Sequence, residues 1–368
     1  MIADHDLLAA VGRAMPGALG VMRFVHAHPE LGHEERECSA HVAGVLEQAG
    51  FTLERGVAGM ETAFVARLAG SRPGRTVGLV CLYDAVPAVR PNGEMEAVHS
   101  CGHGPISGGV TAAATGLASL RDDLAGEVRV YGCPSDEIHA PGSALHGGGK
   151  LLSAQGGIWD DVDAALYAHP EFIDTVSLES RWMRREFATV SGSRSLTGDP
   201  EPPLRAAAAL IGANAVDVMV EHLELDGDVE EGTGLACSAR VLVFADTPDE
   251  LEERCSALRG VLPDAEWRSG PTVEGIRPDE HARAAVAAAM DAAGRNFVAD
   301  PPRLPFATDF GNISRRAPAA LIGIGREGGW AFHSDEGAEQ FASADGEAAA
   351  LAVAQVLALA AARLTENA

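Results

Sequence analysis

The chain alternates helix-like apolar periodicity with continuous apolar runs. Residues 5–27 and 39–50 repeat apolar positions at helical spacing, and Gly50 provides a stop for the second of these helices. Residues 76–82 and 128–133 are nearly continuous apolar runs, which are typical of strands buried on both faces. Further helices are predicted at 107–120, 142–155, 279–293 and 346–364, and further strands at 164–168 and 319–325. Alternating strands and helices predict an α/β fold with a mostly parallel central sheet flanked by helices.

The pattern changes near Trp182, where polar and apolar residues begin to alternate. Such alternation is typical of antiparallel strands with one solvated face. This part is predicted to contain strands at 185–191, 218–225 and 236–245 and helices at 203–218 and 248–262, the second of which begins at Thr247. We therefore expect an inserted α+β domain at 186–273 within a discontinuous main domain formed by 1–185 and 274–368.

Composition and charge argue against several classes of partner. The chain has 368 residues, of which 46% are hydrophobic, enough to bury the cores of two domains. Its 53 acidic residues outnumber its 28 lysines and arginines, which gives a formal net charge of −25. This field repels phosphate backbones and anionic lipids, so we expect no nucleic acid and no membrane as a partner.

The termini and cysteines suggest a location. No apolar run is expected to reach the ~20 residues of a membrane helix, and the N-terminus carries Asp4 and Asp6 where a secretory signal would be basic. The six cysteines are scattered and form no CxxC pair, which favours a reduced compartment over a disulfide framework. We expect a cytoplasmic protein.

Several metal-binding residue types follow the predicted strands. These residues are Cys101, His103, Asp136, Glu137, His169 and His333. Taken singly, each has an ordinary explanation, since a buried cysteine usually serves as a small apolar side chain and an adjacent Asp–Glu pair is usually solvated. Together they change the interpretation, because ligands of open α/β sheets collect at the carboxyl ends of the strands.

The donor types fit metal-assisted hydrolysis. Thiolate, imidazole and carboxylate donors suit a transition metal. Two metal ions close together can share a water, lower its pKa and polarise an amide carbonyl. Asp136 and Glu137 could then divide two tasks, one binding metal and the other taking the proton from the water.

Five motifs occur in the order and spacing of a known family. They are HPELG at 28–32, YDAVP at 83–87, HSCGH at 99–103, residues 147–151 with 158–170, and TDFGNIS at 308–314. The chain resembles the dinuclear-metal aminoacylase/carboxypeptidase superfamily of amidohydrolases and metallopeptidases over nearly its whole length. Its nearest branch is similar to the hippurate, indole-acetyl-amino-acid and aminobenzoyl-glutamate hydrolases and their β-alanyl-dipeptide hydrolase relatives.

The resemblance implies a phosphorylase/hydrolase-like catalytic domain that binds two divalent metal ions. The donor set favours zinc, with manganese, cobalt and nickel left open. The implied metal ligands are Cys101, His103, Glu137, His169 and His333. The resemblance also implies that Asp136 is the general base and that Asp84 orients a ligand. The loop 308–314 would border the substrate pocket, and the insert would be a lid that forms a homodimer interface.

The first of the five motifs is expected to have a structural role. His28 and Glu30 are predicted to hold the loop near the site and not to act chemically.

Two departures from the family lie in the main domain. Asp136 stands where the family has glutamate, one methylene longer, and a shift of about 1 Å in a positioned base can reduce the rate ~100-fold. Gly104 stands where the family has aspartate or asparagine.

Two more departures lie in the insert. Leu196 occupies the expected position of a lid histidine, and the usual lid arginine is replaced near Phe244. Arg194 and His222 are candidate replacements.

Three hypotheses follow. The favoured one is a metal-dependent amidohydrolase that cleaves a small N-acyl-amino-acid or dipeptide-like amide by a metal-activated water. The second is a diverged biosynthetic enzyme that uses the same site for condensation, cyclisation or elimination, since the lid histidine and arginine are absent. The third is a non-catalytic binding relative, although five retained metal ligands argue against it.

Overall fold

The computed structural model describes residues 2–192, 202–227 and 235–366. The chain divides into two compact units. The first comprises Met1–Glu179, Ile276–Arg303 and Asp309–Ala368, and the second comprises Ser180–Gly275 with Leu304–Thr308. The insert expected at 186–273 falls within the second unit. Leu196 and Arg194, which bear on the missing lid histidine, lie outside the described residues.

Helices and strands follow one another along the chain. The helices are α1 (Asp4–Ala27), α2 (Arg36–Gln48), α3 (His103–Ala118), α4 (Pro141–His146), α5 (Gly149–Gln155), α6 (Pro202–Ala213), α7 (Pro248–Val261), α8 (Glu280–Ala292), α9 (Phe310–Ser314), α10 (Asp335–Ala342) and α11 (Ala344–Thr365). The strands are β1 (Thr52–Arg55), β2 (Phe64–Ala69), β3 (Arg72–Cys81), β4 (Val86–Val89), β5 (Met95–Val98), β6 (Ala125–Gly132), β7 (Ala164–Glu171), β8 (Trp182–Gly192), β9 (Val218–Asp226), β10 (Leu235–Ala245), β11 (Glu266–Val273) and β12 (Ala319–Gly325).

The first unit is built on a mixed sheet in the order β1-β2-β6-β3-β7-β12. Strands β6, β3, β7 and β12 are parallel, while β1 and β2 pair antiparallel at one end. The predicted mostly parallel sheet is therefore confirmed, and its strands are buried along most of their length. Their carboxyl ends share one edge, which is where ligands of such sheets collect.

Helix α3 contacts both α1 and α11. Gly104 lies in the first turn of α3, where close packing against α1 favours a small residue. A Cβ at Gly104 would lie 3.2 Å from the Met22 carbonyl oxygen and 3.8 Å from the His26 Cβ. The glycine thus allows α1 to approach the start of α3, where the aspartate or asparagine of related proteins would require its neighbours to move.

The second unit is an antiparallel sheet in the order β11-β8-β10-β9. Alternate residues of β10, including Ala239, Val241 and Val243, join α6 and α7 in one apolar core. Thr247 begins α7 as predicted, because its side chain accepts a hydrogen bond from the Glu250 amide. This alternation is what the sequence pattern predicts for a sheet with one covered face.

Some predicted boundaries were wrong. Helix α6 ends at Ala213 instead of residue 218, because Ala215 and Val218 form a turn and Val218 begins β9. The strand expected at 164–168 continues to Glu171. Strands β1, β2, β4, β5 and β11 were not predicted. Strands β1, β4, β5 and β11 are short or exposed and carry little apolar signal. Strand β2 is buried and mostly apolar, and the prediction missed it despite that signal.

Two helices have the length and apolar composition of a membrane span, which corrects the expectation that no apolar run approaches that length. They are α1 and α11. Within the first unit, 78% of the apolar window of α11 is buried, as in the core helix of a folded domain, against 33% for α1.

Candidate metal centre

The predicted metal-binding residues converge at the carboxyl edge of the first unit's sheet. Cys101 follows the β4–β5 hairpin, and His103 is the first residue of α3. Glu137 lies in the loop after β6, and His169 lies inside β7 near its end. His333 lies in the loop after β12, where its backbone amide donates to the Ser100 carbonyl at 3.0 Å.

Their side-chain atoms form two groups that share one thiol. Cys101, His103 and His169 form the first group, and Cys101, Glu137 and His333 form the second. Within each group, the candidate ligand atoms lie within 4.8 Å of one another. These two groups are the residues that could hold divalent cations, and Cys101 belongs to both.

The spacing of the donor atoms suits metal coordination. Cys101 Sγ lies 3.4 Å from His333 Nε2 and 3.7 Å from His169 Nε2. Glu137 Oε2 lies 3.6 Å from His333 Nε2. Bonds of about 2.0–2.3 Å in a tetrahedron place neighbouring donors about 3.3–3.8 Å apart. These three donor–donor distances therefore lie in the range found between ligand atoms of a tetrahedral metal site.

Two buried atoms of this cluster lack a hydrogen-bond partner among the described residues. They are His103 Nε2 and Glu137 Oε1, which lie 3.8 Å apart. Burying an unpaired polar atom is unfavourable, and native structures rarely leave one without a reason. Divalent cations bound by these residues would satisfy both atoms, so the residues present fit a divalent metal.

Asp84 links two of the candidate ligands. Its carbonyl oxygen accepts from His103 Nδ1 at 2.6 Å, and its Oδ1 lies 3.0 Å from the same nitrogen. Its Oδ2 accepts from the Glu137 backbone amide at 2.9 Å. With Nδ1 occupied in this way, His103 directs Nε2 toward the cluster.

His169 is oriented in the same manner. Its Nδ1 donates to the Pro170 carbonyl at 2.6 Å and lies 3.4 Å from Glu171 Oε1. Nε2 is left facing Cys101, and the ring stacks on Phe332 with centroids 5.9 Å apart. These contacts fix which nitrogen can bind a cation.

The local charges favour a thiolate among protonated imidazoles. Burial alone would raise the pKa of the Cys101 thiol, but the neighbouring imidazoles of His103, His169 and His333 hold it well below its ordinary value. Burial alone would lower the pKa of His169, but Cys101 and Glu171 raise it to about 10. Burial and the Cys101 charge raise the pKa of Glu137 well above its ordinary value. Binding of a cation would therefore displace protons from these groups.

Asp136, the expected base, lies next to these groups. Its Oδ2 is 3.4 Å from His103 Nε2, and its Oδ1 forms an ion pair with Lys150. Burial would raise the pKa of Asp136, but the Lys150 charge and His103 hold it far below its ordinary value. Its carboxylate is therefore ionised.

The 28–32 motif shapes the backbone beside this edge. Glu30 accepts from the amides of Glu37 and Cys38 at the start of α2, and its carbonyl accepts from Ala85 at 2.8 Å. The carbonyl of His28 accepts from the Cys38 thiol at 3.1 Å, which ties the end of α1 to α2. These contacts match the loop-holding role that the sequence predicts for both residues.

Sequence reasoning overlooked Lys150, and with it the link that its ammonium makes between Asp136 and Asp309. Lys150 contacts the carboxylates of both. One signal was available in the sequence. Lys150 is the single lysine of the chain, and the other 27 of its 28 basic residues are arginine.

The chain is similar to proteins with known names over part of its length. It is 34% identical over 155 residues to a subunit of the p-aminobenzoyl-glutamate hydrolase of Escherichia coli, covering 39% of this chain and 30% of that protein. It is 31% identical over 186 residues to thermostable carboxypeptidase 1 of Saccharolobus solfataricus, covering 49% and 43%. It is 32% identical over 154 residues to an N-acyl-L-amino acid amidohydrolase of Geobacillus stearothermophilus, covering 40% and 39%. The chain thus spans less than half the length of these curated relatives.

Solved structures share the fold over nearly the whole chain. A Bacillus subtilis protein named as a dinuclear metal binding peptidase from the M20 family superposes with a TM-score of 0.73 at 19% identity, covering 97% of this chain and 99% of that one. An aminobenzoyl-glutamate utilization protein from Klebsiella pneumoniae gives 0.72 at 16% identity, covering 98% and 100%.

The family itself is established by a match along the chain. The model of peptidase family M20/M25/M40 matches residues 83–362. This range includes the converging residues, from Asp84 to His333. The chain belongs to peptidase family M20/M25/M40.

Proposed function

We propose that this protein is a metal-dependent amidohydrolase that cleaves the amide bond of a small N-acyl-amino-acid or dipeptide-like compound. One observation carries the proposal. Five donor side chains from separate parts of the chain meet around the Cys101 sulfur, with an ionised carboxylate, Asp136, beside them. The partial similarity to an aminobenzoyl-glutamate hydrolase and an N-acyl-amino acid amidohydrolase supports the substrate class.

The ligand assignment follows from the two groups. Cys101, His103 and His169 would hold one divalent ion, and Cys101, Glu137 and His333 would hold the other. Thiolate and imidazole donors favour zinc, and the carboxylate also admits manganese, cobalt or nickel. When bound, such ions acidify a water and polarise an amide carbonyl.

The chain's own residues then move the proton. Asp136 accepts a proton from the attacking water as oxygen bonds to the amide carbon, and it donates that proton to the nitrogen as the carbon–nitrogen bond breaks. Amide and water thereby become a carboxylic acid and an amine. Asp84 holds His103 and Glu137 in place during these steps, because it forms hydrogen bonds with both.

Metal content and turnover, measured together, test the proposal. Wild-type protein purified without chelator is expected to carry about two divalent ions and to hydrolyse N-acyl amino acids such as p-aminobenzoyl-glutamate. The double variant Cys101→Ala/His103→Ala is expected to lose both properties. His146→Ala, which changes an exposed histidine outside the cluster, serves as a matched control. Metal-free wild type after reconstitution, or turnover unaffected in the double variant, would contradict the assignment.

We also propose that two copies associate through the second unit. Strand β9 is an edge of its sheet, and exposed apolar side chains lie on α6, on β9 and between them. Among them, Val216 is 90% exposed and Ile211 is 62% exposed. Exposed apolar side chains beside an unpaired strand edge suit a partner surface.

Molar mass in solution tests the association. Wild type is expected to have twice the chain mass, and Ile211→Asp/Val216→Asp is expected to shift it to one chain. Val89→Asp, at a 75% exposed position of the β4–β5 hairpin, is the control and should leave the mass unchanged. A wild-type monomer at micromolar concentration would refute the proposal.

A further inference from the structure

We propose that Lys150 is a positioning residue, whose buried ammonium holds the short Asp136 side chain in place for proton transfer. The inference rests on the proposed amide hydrolysis and names a residue through which its base acts. It begins from a side chain that is 0% exposed yet charged. A buried charge is expensive unless it is paired, so this lysine needs a specific reason to be inside.

The contacts supply that reason. Lys150 Nζ pairs with Asp136 Oδ1 on one side and lies 2.7 Å from Asp309 Oδ1 on the other. The ring of Tyr167, itself buried, covers the ammonium with its centroid 5.4 Å away. Asp136 is thus held by one oxygen, while its other oxygen faces His103 Nε2 at 3.4 Å. The lysine fixes the carboxylate without covering the oxygen that points into the cluster.

The backbone around Lys150 is built to bring it there. The Gly147–Gly149 turn leads into α5, and a Cβ on Gly149 would collide with the carbonyl oxygen of Pro134. The start of α5 therefore packs directly against the loop that carries Asp136. On the other side, Asp309 Oδ2 accepts from the Leu151 amide at 3.1 Å, which ties the start of α9 to the same helix.

The residue type is also specific. Every other basic side chain of this protein is arginine, so lysine does not serve as a general surface charge here. A guanidinium is a wide planar fork, whereas an ammonium is a compact charge with three donors. The enclosed space between two carboxylates and a tyrosine ring suits the compact group.

The charges around Lys150 also bear on the role of Asp309. Burial would lower the pKa of Lys150, but Asp136 and Asp309 outweigh it and raise that pKa above its ordinary value. Burial raises the pKa of Asp309, the Lys150 charge opposes that rise, and the Asp136 charge adds to it. Asp309 is the second carboxyl group beside the ammonium, at 2.7 Å, while Asp136 is the group being positioned.

This arrangement compensates for the short side chain of Asp136. Aspartate at 136 is shorter than the glutamate expected from the family resemblance. A base displaced by about 1 Å can lose ~100-fold in rate. A fixed ammonium behind the carboxylate limits such displacement.

Turnover of matched variants tests the proposal. Lys150→Met/Asp309→Asn removes the ammonium together with its counter-charge, so that no new unpaired carboxylate is created at 309. Asp309→Asn alone keeps the Lys150–Asp136 pair and is the control. The double variant is expected to bind the same number of metal ions as wild type, to lose ~100-fold in kcat and to keep KM within about threefold. Because both variants change residue 309 alike, Asp309→Asn is expected to keep a kcat about tenfold or more above that of the double variant. Equal kcat in the double variant and the control would overturn the proposal.

A second readout does not depend on turnover. Because the chain has one lysine, labelling with side-chain 15N-lysine gives a single Nζ signal. In wild type this signal is expected to come from an ammonium that is protected from exchange with solvent. Asp136→Asn is expected to change its chemical shift. An unchanged signal would overturn the contact even if the double variant failed to fold. A wild type that cleaves no amide would refute the proposed function, and the NMR result would then decide the positioning contact by itself.

Discussion

The two sheets of this protein place their polar residues in different ways. In the first unit, buried parallel strands leave polar side chains at the strand ends, where Asp84, His103 and Glu137 meet as buried neighbours. In the second unit, alternating strands spread polar side chains along a face, as with Arg240 opposite His222. Burial strengthens every charge interaction, while solvent weakens those at the surface. Single charge changes should therefore have large effects in this buried cluster and small effects at the exposed charges of the second unit. Glu186, which is 0% exposed and pairs with Arg259, is not one of those exposed charges.

The largest effect is expected at Asp136. Asp136→Asn removes the only proton acceptor proposed for the reaction, so we expect kcat to fall by roughly 10²–10⁴. Metal content should stay at the wild-type value, since Asp136 is not in either ligand group. Steady-state kinetics with elemental analysis checks both, and a fully active variant would remove Asp136 from the mechanism.

Asp84→Ala should weaken metal binding. The aspartate bonds to both His103 and Glu137, and partners behind metal ligands typically contribute 10–100-fold in affinity. Competition with a chelator measures this change. Asp160→Ala, at an exposed position of the same unit, is the control. Unchanged affinity in Asp84→Ala would show that the ligands are held without it.

Glu35 should make stability depend on pH. Burial, followed by the Asp84 charge, raises the pKa of Glu35 from 4.5 to about 8. A carboxyl whose pKa is higher in the folded state loses stability as pH rises from about 4.5 to 8, because the unfolded chain ionises first.

Glu35→Gln should remove this dependence and keep the hydrogen bond that the Ser135 amide donates. Relative to wild type, its free energy of unfolding should rise between pH 5 and pH 8 by about 3–4 kcal/mol. Denaturant unfolding at the two pH values measures the difference. Parallel pH profiles for the two proteins would show that Glu35 is already ionised in the fold.

The smallest effect is expected in the second unit. Arg184 Nη1 donates to Glu252 Oε2 at 3.0 Å, but the Glu252 side chain is 65% exposed. Glu252→Gln should change the free energy of unfolding by less than about 1 kcal/mol, and less still at high salt. Thermal unfolding at two salt concentrations checks it. A loss as large as that expected for a buried charge would break the contrast between the two regions.

Local sequence predicted the parallel strands of the main sheet and the polar residues that follow them. Strand β12 occupies the residues predicted for it, and helix α7 begins at its predicted cap, because buried strands and capped helices carry local signals. Their positions after predicted strands brought the candidate residues together, and the family resemblance then implied which of them bind metal.

Tertiary structure alone decided the contacts among groups far apart in the chain. Asp309 is distant in sequence from Lys150, and no periodicity relates them, yet they pair inside the fold. Strand β2 likewise pairs with β6, which lies far along the chain. Local sequence limits which elements form, whereas burial determines which charges must find one another, because an unpaired charge in the interior is too unfavourable to persist.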